Sequence, residues 1–403
     1  MTVRHEQPAL AMTVYRSFDE LDNLQAAWDL LFESEGGLVY QSYDWCKLWW
    51  HFYGHGRELR ILIFRAESEL VAVIPFFIDT IGVWPIGLRV VKGIASEYST
   101  SRFSMAIRPA FQHSVLQMSV KQLIEVDRCD LISIGPVVGA EKLRADLDQI
   151  ATNQHVDVSI RPSNAALVMI YDLSGGLDKL MSNISSGRRA NLRRSMRQIE
   201  NQQDVVVRRI VDPEELKAEF DGFCELHRLR WREDGKRGHF EDWPDSKQFH
   251  IALLAAQGKH QRCRLYKISR QDEVLAYEYG YLFGDWYFWL LPARSVSQEW
   301  ERLSIGQVSS LIQMRTEAEN GAKRADLGMG FYEYKKSMGA FTEDLHQIEI
   351  GRRQWLSEMR VRLWFKISKL VHLLYYKIWF RRIAPRLNYF SSPLWSFWIR
   401  TRF

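Results

Sequence analysis

Apolar side chains at Leu21, Leu24, Trp28 and Leu31 repeat at helical spacing behind a strand-like run at residues 13–20. The stretch Val39-Tyr40-Gln41-Ser42-Tyr43-Asp44-Trp45 leads into a second helix carrying Trp49, Trp50 and Phe52. A hairpin follows, Leu59–Phe64 and Leu70–Phe77 around the polar turn Glu67-Ser68-Glu69. Farther on come a helix from near His113, a strand at Leu131–Ile134, a helix at Glu141–Ala151 and a strand at Val156–Ile160, with a boundary expected near residue 165.

The second half opens with the apolar run Ala166–Tyr171, a Gly175-Gly176 turn, a polar helix reaching about Gln198 and a strand at Val205–Ile210. Asp212-Pro213-Glu214-Glu215 starts a helix, because an Asp cap, an early Pro and acids all suit its positive end. Leu216, Phe220, Phe223 and Leu226 form its apolar stripe. Strands at Arg262–Ser269, Glu273–Phe283 and Trp286–Leu291 come next, the last two joined by a tight Gly284-Asp285 turn. A helix from Ser304 to Ala318, a strand at Arg324–Leu327, a Gly-rich bend and a short helix complete the domain. Near the end, Leu363, Ile367, Leu370, Leu374 and Ile378 again keep helical spacing.

This pattern predicts an α+β fold of mixed, largely antiparallel sheets flanked by helices. At 403 residues the chain exceeds the roughly 250–300 that one core serves, so we expect domains at 12–165 and 166–350 with a helical tail at 351–403. The net charge of +5 hides an asymmetry: residues 352–403 hold twelve Lys/Arg against Glu358 alone, which leaves −6 for the remainder. A nucleic-acid footprint over the whole protein is therefore not expected. Cys46, Cys129, Cys224 and Cys263 are scattered without metal-ligand spacing, which points to a reduced compartment and no metal. The N-terminal stretch has no secretory apolar core, and no run is long enough to span a membrane. The expected location is cytoplasmic. Trp355, Trp364, Trp379, Trp395 and Trp398 among the tail cations suit peripheral contact with an anionic inner membrane face, or docking on the protein itself.

Several motifs share an order. Tyr40-Gln41-Ser42-Tyr43-Asp44-Trp45 and Val71-Ala72-Val73-Ile74-Pro75, then Ser185-Ser186-Gly187-Arg188-Arg189-Ala190-Asn191, His227-Arg228-Leu229-Arg230-Trp231 with Gly235, and Asp326-Leu327-Gly328-Met329-Gly330 running to Tyr334-Lys335-Lys336 resemble the CelD-like acetyltransferases of bacterial polysaccharide systems. The element order is also that of the GNAT fold, to which this family belongs. The resemblance spans about residues 15–345 and implies tandem GNAT-like domains. The first domain lacks evident equivalents of the helix and bend motifs, which leaves it to shape the acceptor cleft. The Tyr334-Lys335 ending is also similar to Fem-type peptidoglycan aminoacyltransferases, tandem GNAT proteins that use aminoacyl-tRNA.

The resemblance implies acyl transfer from acetyl-CoA or another acyl-CoA to a sugar or cell-envelope precursor. Such transfer needs an anion site, a proton acceptor and donors facing the carbonyl oxygen. Ser304, Ile305 and Gly306 open a helix where GNAT enzymes bind coenzyme A; the same residues also read as an ordinary Ser-capped start. Arg189, Arg193 and Arg197 line one side of a helix and suit an anionic acceptor, or simply solvent. Glu278 shares a strand face with Ala276 and Gly280, which makes it a general-base candidate or a buried ion-pair partner; His227 and His239 compete for the base role. The resemblance places Asp326 and Lys335 in the acceptor cleft, Lys335 neutralising phosphate or oxyanion, with Trp231 and Tyr334 contacting substrate; an Asp–Lys bridge is the structural alternative. The strand pair closed by Gly284-Asp285 should part from the strand bearing Asp326. Two readings compete with acyl-CoA chemistry: a Fem-like transferase taking charged tRNA, and a catalytically inactive scaffold of a polysaccharide assembly.

Overall fold

The computed structural model describes residues 9–97, 102–233, 235, 238–241, 243–387 and 394–402. The chain separates into two compact units, residues 1–164 with 345–403, and residues 165–344.

The first unit contains β1 (Leu10–Tyr15), α1 (Gln25–Ser34), α2 (Tyr43–Tyr53), β2 (Glu58–Ala66), β3 (Glu69–Ile81), β4 (Leu88–Gly93), β5 (Ala106–Ile107), α3 (Gln112–Lys121), β6 (Leu131–Val138), α4 (Arg144–Asn153) and the start of β7 (Val156–Asp172). Strands β1 to β4 pair antiparallel in order, and β6 joins β4 in parallel. Helices cover both faces, so β3 is buried almost continuously rather than on alternate residues. On one side, α3 and α4 bury Leu116, Val120 and Leu147 against Phe64, Ile74 and Phe76. On the other, Trp49 of α2 lies 5.3 Å from the Phe77 ring.

The motif around Gln41 is the joint of this unit. Asp29 of α1 accepts from the Tyr43 amide at 2.8 Å and so caps α2. The Gln41 side chain accepts from the Ser104 amide and hydroxyl at 3.1 and 3.0 Å, while its carbonyl takes the Trp28 indole N–H at 2.8 Å. Fully buried, Gln41 thus ties three distant segments together.

The second unit takes the end of β7 and adds α5 (Gly176–Ser182), α6 (Ser186–Glu200), β8 (Val205–Ile210), α7 (Pro213–Glu233), α8 (Ser246–Lys259), β9 (Cys263–Arg270), β10 (Glu273–Phe283), β11 (Trp286–Arg294), α9 (Gln298–Arg302), α10 (Ile305–Glu319), β12 (Arg324–Met329) and α11 (Glu333–Ser337). Its sheet order is β7-β12-β11-β10-β9-β8, antiparallel except for β11 with β12. The α10 side of the sheet packs Met169, Tyr171, Tyr287 and Trp289 against α5, α6 and α10. The opposite side sets the Tyr277 and Tyr279 rings edge-on to Phe223 and Phe220 of α7. Helix α8 escaped the sequence pattern for a physical reason. Ser246, Phe249, His250, Leu253, Leu254 and Gln257 keep helical spacing and are buried, but half of them are polar, so no apolar stripe shows.

The chain then returns to the first unit through β13 (Phe341–Arg352), which pairs antiparallel with β6. Neither β4 nor β13 stood out in the sequence, and β7 is one long strand where two segments were expected. Instead of one straight tail helix there are α12 (Trp355–Val371), a π-helical stretch at His372–Ile383, a tight turn at Ala384–Leu387 and α13 (Trp395–Arg400). Trp364 is buried against Ile81, Leu88, Val90 and Leu131, and Trp398 stacks on Tyr376 at 4.3 Å. The tail is therefore partly docked on its own unit, while Leu370, Leu373 and Leu374 stay about half exposed.

Candidate active site

Strands β11 and β12 pair in parallel over Trp286–Arg324, Tyr287–Ala325 and Phe288–Asp326, and no farther. Beyond that point β11 continues with β10 up to Arg294, while β12 bends at Gly328 and Gly330, whose φ angles of 85° and 91° favour glycine. Asp326 fixes the bend by accepting from the Gly328 amide at 2.7 Å. The parting makes a slot.

Lys335 fills the inner end of that slot. Only 7% exposed, its ammonium donates to the Leu327 carbonyl at 2.5 Å and lies 5.2 Å from the Trp289 ring and 4.5 Å from that of Tyr332. Burial pulls its pKa down to about 8, and the negative charge of Asp326 opposes the fall.

The same indole reaches the carboxylate. Trp289 Nε1 donates to Glu278 at 2.7 Å, and Ser309 of α10 donates to the other carboxylate oxygen. Glu278 is 1% exposed, and burial pushes its pKa up to about 8 against the pull of both donors and of Arg294. Beside it the strand face is filled: a Cβ at Gly280 would meet the Tyr287 hydroxyl at 2.2 Å. Glu278 also acts electrostatically on Tyr171 and Tyr334, which places Tyr334 in the same cluster.

Helix α10 starts beside this cluster. Ser304 does not cap it with its side chain; it sits in left-handed backbone at φ 55°, its amide bonded to the Glu301 carbonyl at 2.9 Å. The first-turn amides that a helix leaves without internal partners begin at Ile305 and Gly306. Across them lies Arg294, its Cδ 2.8 Å from where a Cβ on Gly306 would stand. Arg188 reaches Gln307 at 3.3 Å, and its buried Nε has no hydrogen-bond partner. Two arginines therefore flank a helix start that has one glycine, an arrangement that fits a phosphate-bearing ligand.

Other predicted residues lie apart. Arg193 pairs with Asp178 at 3.1 Å in the open, and Arg189 turns toward the Met181 carbonyl at 3.5 Å. Trp231 packs edge-on to His239 at 4.7 Å at the end of α7, on the face of β10 and β11 opposite Glu278. There His227 donates from Nδ1 to the Pro292 carbonyl at 2.8 Å and faces His239 at 3.1 Å. The sequence reading passed over Arg294, Ser309 and Trp289. Only their return to Glu278 and Gly306 in space marks them.

Residues 186–336 match the model of the acetyltransferase (GNAT) domain. No curated protein sequence matches the chain. Among solved structures, FemX superposes with a TM-score of 0.59 at 14% identity, covering 81% of this chain and 95% of its own. L-PGS from Bacillus licheniformis gives 0.49 at 12% identity, covering 84% and 94%. A tandem GNAT protein from the clavulanic acid biosynthesis pathway gives 0.42 at 10%, covering 84% and 98%. The parted strands, the helix that opens beside them and the matching segment all fall within residues 165–344, so the part of the chain that is similar to the acetyltransferase (GNAT) domain lies in the second unit, and the fold of the chain is similar to that of FemX.

Proposed function

We propose that the second unit is an N- or O-acyltransferase that moves an acyl group, foremost acetyl, from acyl-CoA to a sugar or an exopolysaccharide or cell-envelope precursor. The observation that carries this reading is the buried Lys335 ammonium on the Trp289 ring, with Glu278 held by the same indole at the parting of the strands. A thioester carbonyl in that slot would develop negative charge beside Lys335 as the acceptor attacks. A bond forms from the acceptor oxygen or nitrogen to the acyl carbon, the carbon–sulfur bond breaks, and the acceptor proton passes to Glu278 through the Ser309 hydroxyl. The thiolate leaves toward Arg294 and Arg188.

The single glycine at the start of α10 and the likeness to FemX also favour a second reading, in which the donor is an aminoacyl-tRNA. An inactive scaffold is the third. Calorimetric titration separates them. We expect micromolar binding of acetyl-CoA, about tenfold weaker in Arg294→Gln, which removes one charge-assisted contact to phosphate. Binding of charged tRNA alone would move the assignment to the second reading, and binding of neither to the scaffold.

The tail suits a place at the inner face of the cell membrane. Among the described residues no helix is long and apolar enough to cross a membrane, yet Leu370, Leu373 and Leu374 are about half exposed among Lys366, Lys369, Lys377, Arg381 and Arg382. Vesicles rich in phosphatidylglycerol should carry the protein in a flotation gradient, and Leu373→Ser with Leu374→Ser should lower the bound fraction about tenfold. Equal flotation with neutral vesicles would remove the tail cations from the proposal, and no flotation with either would remove the membrane.

A further inference from the structure

The connection between β3 and β4 has the composition of a core segment and the position of a surface turn. Residues 82–87, Gly82-Val83-Trp84-Pro85-Ile86-Gly87, carry no charge, and their one polar side-chain group is the Trp84 indole N–H. Surface turns draw besides Gly and Pro on Asn, Asp and Ser. Trp84 is nevertheless 87% exposed, Val83 74% and Ile86 40%. Apolar side chains scattered singly over a surface need no partner, but adjacent ones on an uncharged tip mark a contact surface.

Helix α12 holds this tip in place. Gly82 lies against Trp364, whose indole a Cβ at that position would strike. Trp364 Nε1 donates to the Ile86 carbonyl at 2.8 Å, and Arg360 Nε donates to the Pro85 carbonyl at 2.9 Å. Two backbone acceptors of the tip are thus paired within the protein. That bears on the partner, because an unpaired carbonyl resists leaving water and a paired one resists much less.

From Arg360 the helix continues through Leu363, Ile367 and Leu370 at steps of three and four, along one side of α12. Leu363 and Ile367 are half-buried, whereas Leu370 and the following Leu373 and Leu374 are about half exposed. Arg360 and Leu370 stand about 15 Å apart along the helix axis. One helix therefore carries two exposed apolar groups, the tip near its start and the leucines near its end. The segment around them, residues 352–403, holds twelve Lys/Arg against Glu358 alone. Apolar groups set among cations complement a bilayer with anionic headgroups, and its boundary layer is where an indole is favoured.

We infer that Val83 and Trp84 form a second point of contact with an anionic bilayer, held beside the tail leucines by Arg360 and Trp364. The inference rests on the membrane reading of the tail and adds to it an element from a distant part of the sequence. One contact would let the first unit pivot on the surface; two fix its orientation there.

Flotation of the full chain with vesicles of phosphatidylglycerol and phosphatidylcholine in equal parts tests it. Val83→Ser with Trp84→Ser should lower the bound fraction about tenfold although the tail is unchanged. Trp84→Phe, which keeps an apolar ring, should retain most of the binding. Both native side chains face solvent, so the melting temperature of the serine pair should stay in place. An environment-sensitive dye on Trp84→Cys, made with Cys224→Ser because the other three cysteines are buried, should shift to the blue with vesicles and be quenched by headgroup-labelled nitroxide lipid. The inference falls if the serine pair floats as the wild type does, or if the dye does not shift; the tail reading then stands so long as the wild type floats. A wild-type chain that does not float ends both. A dimer in sedimentation that the serine pair abolishes would overturn the inference by giving the tip to a second copy of the chain.

Discussion

Replacing Lys335 with methionine is expected to abolish acyl transfer and at the same time raise the melting temperature. The ammonium is nearly buried, and its pKa falls from 10.5 to about 8. At pH 7 it is charged in both folded and unfolded chains, so the folded state carries the full burial cost. That cost is relieved only as pH climbs through 8 toward 10.5, where the folded state loses its proton first. A methionine of similar length removes it and fills the same space. We expect a gain of about 2–3 kcal/mol at pH 7, which corresponds to roughly 5–10 °C for a unit of this size. Transfer should drop about a thousandfold if the ammonium faces the developing oxyanion. A thermal scan paired with an initial-rate assay decides it, since a variant that is less stable or keeps normal turnover would place Lys335 in a purely structural role.

Glu278→Gln should flatten the alkaline loss of stability and remove the rising limb of the pH–rate profile. The folded carboxyl holds its proton to about pH 8, whereas the unfolded one releases it near 4.5. Its stabilising contribution is thus complete below 4.5 and is lost as pH rises to about 8. Across that window the wild-type protein should lose about 4 kcal/mol that the glutamine variant keeps. Glutamine can still accept from Trp289 and donate to Ser309, so the fold is retained. With Glu278 active when ionised and Lys335 active when protonated, wild-type activity should form a narrow bell near pH 8. If the acidic limb survives in Glu278→Gln while turnover is unchanged, another group takes the proton.

Alternation along β10 was enough to put Glu278 on one face with Ala276 and Gly280. It could not show that Tyr287, Ser309 and Trp289 close over that face, because they come from strands and helices that the chain reaches later. The order of elements was readable wherever one apolar period ran unbroken, as in α7 with Leu216, Phe220 and Phe223. It was hidden in α8, where Ser246, His250 and Gln257 occupy the inward positions. Arg188 was one of several arginines at the start of α6. What sets it apart is a buried Nε beside Gln307, a property of packing rather than of spacing. The same limit applied to Arg294, which ends β11 and meets Gly306 only after the chain has turned back through α9.

The place of β13 has a consequence for biogenesis. This strand covers one edge of β6 yet is encoded after all of residues 165–344. A ribosome therefore releases every piece of the later-encoded unit before it releases the last strand of the earlier one, and the hydrogen-bonding edge of β6 has to wait uncovered through about 180 residues of synthesis. Gene fragments that stop at residue 164 would yield a sheet with that edge permanently bare, whereas the intervening segment carries its full set of strands within itself.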